Sequence, residues 1–251
     1  MTSGLLNDPR PPPALPVMDD RPVPHPPPAD PRDFAPHELE GMARACLQSL
    51  EAALMQVDHW RAQGHGLEEI YLHGVAPSAR LLGHWWRCDV ADFAQVTIGA
   101  AHLQRLLHRL SHEFCAPGAD QPAGLNLLLA CEPRAQHTLG AFMLGEFFRR
   151  CGWTVHWLTP QDGQEILQHL RRDWFDAVAL SVSTDGQLAW LDEWLPRLRA
   201  QSPNTELQIL LGGPLALQHP QRLRALGADL VAVDARETVN WISQRLLHTH
   251  S

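Results

Sequence analysis

The chain is short of the residues that would place it in several large protein classes. Its five cysteines, Cys46, Cys88, Cys115, Cys131 and Cys151, include no CxxC pair. That scatter argues against a disulfide framework or a structural zinc site, and points to buried free thiols. Lysine and arginine form no dense block in a chain of net charge −8, so tight binding to the DNA backbone is not expected. No apolar run approaches the roughly 20 residues that a membrane-spanning helix needs. The opening Met1-Thr2-Ser3-Gly4-Leu5-Leu6 has neither the basic head nor the apolar core of a signal peptide. The expected location is therefore the cytoplasm, with no membrane attachment.

What is present is a hydrophobic fraction of 45% over 251 residues, enough for one large domain or two small ones. Nine tryptophans against one tyrosine imply flat apolar surfaces, serving as core or as ligand walls. Residues 1–36 hold 12 of the 21 prolines, among them Pro11-Pro12-Pro13 and Pro26-Pro27-Pro28. Proline lacks a backbone donor and favours extended conformations, so this stretch is expected to be a disordered or semi-rigid tail.

Residues 37–116 predict a helical bundle. Leu39, Met42, Ala43, Cys46, Leu47, Leu50, Leu54 and Val57 recur at helical spacing, and Gly64 and Gly66 end that run. A second helix is expected over 67–82 with a kink at Pro77, then a break over 83–89 and a third helix over 90–113. Three long helices result, or four if the first is broken. Pro117, Gly118 and Pro122 mark a linker. From 124 to 251 the pattern changes to short apolar strands, near 125–130, 154–158, 176–181, 207–211 and 229–233, alternating with helices. Five such units predict a five-stranded, doubly wound parallel α/β domain.

Three signals fall on the carboxyl rim of that sheet, where open α/β folds bind ligands. His137-Thr138-Leu139-Gly140 follows the first strand, Ser181-Val182-Ser183 the third, and Gly212-Gly213 the fourth. A neutral imidazole at such a rim can ligate a metal or a metallated cofactor. Glycines let a bulky ligand approach the backbone, because no Cβ intervenes.

These residues resemble the flavodoxin-like (Rossmann-like) cobalamin-binding domains, whose pattern is Asp-x-His-x-x-Gly, then Ser-x-Leu, then Gly-Gly. The resemblance implies that His137 is the lower cobalt ligand, and that Thr138, Leu139, Gly140, Ser181, Val182, Ser183, Gly212 and Gly213 line the path of the displaced nucleotide tail. Leu67-Glu68-Glu69-Ile70-Tyr71-Leu72-His73-Gly74-Val75-Ala76-Pro77 and Leu82-Gly83-His84-Trp85-Trp86 resemble the helical module that caps corrinoids in methyltransferases and light-sensing regulators. Trp86, Asp89, Phe93, Val96 and Thr97, followed by Leu103-Gln104-Arg105-Leu106-Leu107, are most similar to the antirepressors of purple photosynthetic bacteria, the AerR and PpaA type. On that resemblance Trp86, Val96 and Thr97 face the cofactor's upper side, with His84, His102 and His108 as further candidate ligands.

Three positions depart from the pattern. Ala135 stands where the family has the aspartate that orients the lower-ligand histidine, which weakens the methyltransferase and mutase readings. Ser183 replaces the usual leucine. Val96 and Thr97 occupy the places where the light-sensing carotenoid-gene repressors carry Glu-His, ten and eleven residues after the capping tryptophan. The implied protein is a cytoplasmic, light- or redox-responsive cobalamin-binding regulator with no catalytic residues, holding hydroxocobalamin or adenosylcobalamin. It would act through a DNA-binding transcriptional repressor of the PpsR/CrtJ type and read no DNA sequence itself. The alternatives are a corrinoid carrier of methyl groups and a sensor holding haem in the same cleft.

Overall fold

The computed structural model describes residues 34–116, 124–131, 138–184, 186 and 188–249. The proline-rich stretch 1–33 and His137 lie outside the described residues. Helix α1 (Pro36–Gln48) opens with the Glu38 carboxylate accepting from the Ala35 backbone N–H at 2.8 Å. The long first helix of the sequence is two helices. Ser49 is extended, at φ −165° and ψ 166°, and its hydroxyl accepts from the Ala52 N–H at 3.1 Å to cap α2 (Leu50–Ala62).

The second helix also differs from expectation. A short turn α3 (Leu67–Glu69) runs into a π-helical segment, Ile70–Val75, and on into α4 (Ala76–Arg87). The wide turn lies directly ahead of Pro77, where the Ala76 N–H bonds five residues back to the Tyr71 carbonyl. Pro77 therefore sits in the first turn of α4, just past the wide turn. The helix continues to Arg87, through five of the seven residues of the expected break. Helix α5 (Phe93–Phe114) starts later than expected, behind a reciprocal cap. The Asp92 carboxylate accepts from the Gln95 N–H at 2.8 Å, and the Gln95 side chain accepts from the Asp92 N–H at 2.9 Å.

The second half forms a five-stranded, all-parallel sheet ordered β2-β1-β3-β4-β5. Its elements run β1 (Asn126–Cys131), α6 (Leu139–Arg150), β2 (Thr154–Leu158), α7 (Gly163–Arg172), β3 (Ala177–Ser181) and α8 (Leu188–Gln201). They continue through β4 (Gln208–Gly212), α9 (Pro214–Gln218), α10 (Pro220–Ala225), β5 (Leu230–Val231) and α11 (Ala235–Thr249). The three central strands are apolar on both faces, as a doubly covered parallel sheet requires. Leu127, Leu129 and Cys131 join a core shared with α6 and the helical bundle. Leu128 and Ala130 face the opposite core, with Ile166 and Leu191.

Bundle and sheet belong to one compact unit, Arg32–Ser251. Tyr71 stacks on Phe114 at 4.1 Å, and Phe114 meets Phe147 of α6 edge-on at 5.0 Å. Burial, with the Glu146 charge nearby, pushes the Tyr71 phenol well above its usual range; its hydroxyl donates to the Leu107 carbonyl at 3.3 Å. Arg150 donates to the Phe114 carbonyl at 2.7 Å, and Glu68 pairs with both Arg150 and Arg236. Beside them the Cys115 thiol donates to the buried Glu146 carboxylate at 3.3 Å, which Arg149 also holds at 2.9 Å.

Candidate functional site

Helix α6 leaves β1 on the bundle side of the sheet, whereas α8 leaves the neighbouring β3 on the other side. The connections diverge there, opening a crevice at the carboxyl edge between β1 and β3, which is where doubly wound sheets take their ligands. Three positions meet along that edge, because Cys131 is level with Ser181 and Ser181 with Gly212. The segment 132–137, which carries His137, joins the end of β1 to the start of α6. Thr138, Leu139 and Gly140 form the first turn of α6, and a Cβ on Gly140 would meet open space.

On the next strand Ser181 is 6% exposed, at the inner end of the crevice. Val182 lies in the core on the α8 side, so its side chain turns away from the crevice. Its backbone instead stitches two strand ends together. The Val182 N–H donates to the Gly212 carbonyl at 2.9 Å, and the Val182 carbonyl accepts from the Leu215 N–H at 3.1 Å. Gly213 sits at φ +92°, and a Cβ there would lie 2.6 Å from the Val182 carbonyl oxygen and 2.8 Å from the Ser181 hydroxyl. Glycine at 213 is thus required by the protein's own backbone. A Cβ on Gly212 would merely touch Ala232, at 3.4 Å.

The bundle supplies a roof. The His108 ring of α5 lies 4.4 Å from Phe142 in the first turns of α6, and Phe114 meets Phe147 lower down, so α5 and α6 run in the same direction. At 1.5 Å per residue, the part of α5 before Arg105 continues about 18 Å beyond the start of α6. Residues Phe93, Thr97, Ala100 and Gln104 recede from His108 at helical spacing and share its face. All four are exposed, Phe93 at 69%. Val96, on the flank of this stripe, is partly buried against the bundle core. Trp86 ends α4 at 51% exposure, with Phe93 edge-on at 6.2 Å and Val90 beside them at 60%. An exposed apolar patch of this kind marks a surface that something covers.

Trp86, Val96 and Thr97 therefore gather at the overhanging end of the bundle, and the residues from 138–140, 181–183 and 212–213 gather along the sheet edge. Ala100 carries no motif signal, and Gln104 falls in the run 103–107 without being singled out; their spacing from Phe93 and His108 reveals both. His102 is committed elsewhere, its Nδ1 lying 2.7 Å from the Cys46 carbonyl oxygen. His84 lies on α4 with Cys88 Sγ 3.7 Å from its Nε2.

These residues suit a large flat ring: a Cβ at Gly140 would meet open space, Ser181 offers a hydroxyl on the same edge, and Trp86, Val90 and Phe93 are apolar and exposed at the overhang. A corrinoid would ask the protein for a donor to its metal, and His137, outside the described residues, would be the residue to supply one. The B12-binding domain model matches residues 125–242, the whole of the sheet and its crevice. An uncharacterised 20.5 kDa protein of the bchF-crtJ intergenic region of Rhodobacter capsulatus is 30% identical over 177 residues, covering 70% of this chain and 92% of that protein. The chain belongs to the B12-binding family. As a fold, this B12-binding chain also matches the monomethylamine corrinoid protein of Methanosarcina barkeri, with a TM-score of 0.66 at 15% identity over 82% of this chain and 97% of that one. The likeness includes the bundle, since the matched share extends well beyond the sheet.

Proposed function

We propose that this protein is a cobalamin-binding regulator that works without catalysis, through a DNA-binding transcriptional repressor of the PpsR/CrtJ type. The observation that carries the cobalamin part is the crevice between β1 and β3 lying under an apolar overhang of α4 and α5. The regulatory part is supported by the relative in the bchF-crtJ region and by the sequence features of the antirepressors. His137 would ligate the metal from below. Ser181 would accept or donate a hydrogen bond to the nucleotide tail at the inner end of the crevice, and Gly140 would leave its mouth clear. Trp86, Val90 and Phe93 would exclude water from the upper face.

When bound, the corrinoid supplies a metal centre whose upper ligand exchanges on illumination or change of redox state. The protein's part is to convert that exchange into movement. The bundle is held along α6 and α11 by Phe147, Arg150 and Arg236, and its other end, with Trp86 and Phe93, would be the part that meets the ligand. A change above the ring therefore acts on a long lever with a fixed foot.

The test is the absorption spectrum of the purified protein, as isolated and after mixing with hydroxocobalamin. Corrinoid bands at one per chain, altered by light, are expected. A Soret band instead would assign haem, and acceptance of a methyl group from a methyltransferase would assign the carrier role.

A further inference from the structure

We infer that Gln104 is the residue that reads the upper axial position of the bound corrinoid, donating its side-chain amide N–H to an oxygen ligand, water or hydroxide. This inference rests on the cobalamin-binding reading above. The stripe of α5 that overhangs the sheet edge consists of Phe93, Thr97, Ala100 and Gln104. Phe93 and Ala100 are apolar, and the Thr97 hydroxyl is committed to the Phe93 carbonyl at 2.7 Å. The primary amide of Gln104 is therefore the polar group that this stripe offers. Its position within the stripe matters equally. Gln104 lies one turn above His108, whose ring packs on Phe142 in the opening turns of α6. Helical side chains lean toward the amino end, which tilts Gln104 away from that contact and out over the crevice mouth. Three turns further on, Phe93 stands with Trp86 at the outer margin of the patch. The amide thus occupies the inner end of the roof, exposed to solvent here, and a ring seated beneath it would remove that water and strengthen the single donor.

An amide N–H donating to an axial oxygen stabilises hydroxide more than neutral water, because hydrogen bonds to an ionised acceptor are the stronger ones. The bound aquo form should therefore lose its proton at a lower pH in the wild type than in Gln104→Leu. The experiment is a spectrophotometric pH titration of the aquo-to-hydroxo transition in the cobalamin-loaded full chain, for wild type, Gln104→Leu and Gln104→Glu. Gln104→Leu should keep its cobalamin and raise the midpoint by about one pH unit, a tenfold shift in the equilibrium. Gln104→Glu should raise it further, since a carboxylate repels hydroxide. Equal midpoints in all three, with cofactor retained, would overturn the inference. So would loss of cobalamin by a folded Gln104→Leu, which would make the amide a holder of the ring and not a reader of its ligand. Failure of the wild type to bind cobalamin at all would bring down the underlying reading, and is seen before any variant is compared.

Discussion

At the scale of single residues, the site divides into positions that answer to the ligand and positions that answer to the chain itself. On the proposed reading, His137 is of the first kind. His137 lies outside the apolar strand run of the sequence, so His137→Ala should leave thermal stability within about 0.5 kcal/mol of wild type. Cobalamin retention should fall sharply, measured by gel filtration of the loaded protein; unchanged retention with an unchanged spectrum would remove His137 from the metal. Gly213 is of the second kind. At φ +92°, with the Val182 carbonyl oxygen 2.6 Å from where a Cβ would sit, even Gly213→Ala must move backbone. The strain is on the order of 1–3 kcal/mol. The melting temperature should drop, and full-length cobalamin and a corrinoid lacking the tail should be lost alike. Selective loss of the full-length cofactor would return Gly213 to the tail path. The thiols separate on the same logic. Burial, then the Glu146 charge and hydrogen bond, push Cys115 up to about 12, and burial pushes Cys46 to about 12 as well, whereas Cys88 is exposed. Brief alkylation at pH 8 should modify Cys88 first, and peptide mapping that found Cys115 labelled ahead of it would contradict the geometry. The sign for stability follows: the folded chain keeps the Cys115 proton above the usual thiol range, so this contribution is intact below that range and fades as pH climbs toward 12.

At the scale of elements, the helix ends carry more information than the helix interiors. Ser49 shows why part of the bundle was hidden in the sequence. The apolar spacing runs unbroken from Leu39 to Val57, so periodicity alone yields one helix; the break is made by a serine turning its hydroxyl on the Ala52 N–H. Ser49→Ala should cost about 1 kcal/mol, read as a lower urea midpoint at unchanged slope. Pro77 falls inside a continuous helical run, and the wider turn over Ile70–Val75 directly ahead of it is a feature that periodicity does not show. The strands were legible to within a residue or two, since runs buried on both faces leave little freedom in register. The rim motifs were legible too, and so were Trp86, Val96 and Thr97 of the roof, but the rest of the roof was not. Gln104 and Ala100 become neighbours of the crevice only because α5 is anchored beside α6 by contacts such as His108 on Phe142, far apart in sequence. The foot of the bundle makes a separate prediction. Glu68 pairs with Arg150 and Arg236 on two different elements, partly exposed to solvent. A double-mutant cycle between Glu68→Ala and Arg236→Ala should give a coupling of about 0.5–1 kcal/mol that shrinks at high salt. Additive single changes would mean that the foot is held by the aromatic contacts alone.

At the scale of the whole molecule, charge decides how such a protein can touch transcription. Sequence-specific readers of DNA combine base contacts with a positively charged surface, and the counterions released from phosphates supply much of their affinity. A chain of net charge −8 without a basic block has little of that to offer. Its own binding to operator DNA should be weak, indifferent to sequence and gone at physiological salt. Its effect should come through a partner that does carry a DNA-reading surface. On the proposed reading, ligand state would reach that partner through the bundle, whose foot is fixed on α6 and α11. The measurement is an electrophoretic shift of a photosynthesis-type promoter with the repressor alone, and then with this protein in its apo, dark cobalamin-loaded and illuminated forms. The repressor's occupancy should change on addition of the protein, by an amount that differs among the three forms. A ligand can shift such an equilibrium only by its differential affinity for the two arrangements, so a repressor equally affected by all three would mean the bundle does not couple site to partner. Tight sequence-specific binding by this chain alone would show that the proposed division of labour between regulator and repressor is wrong.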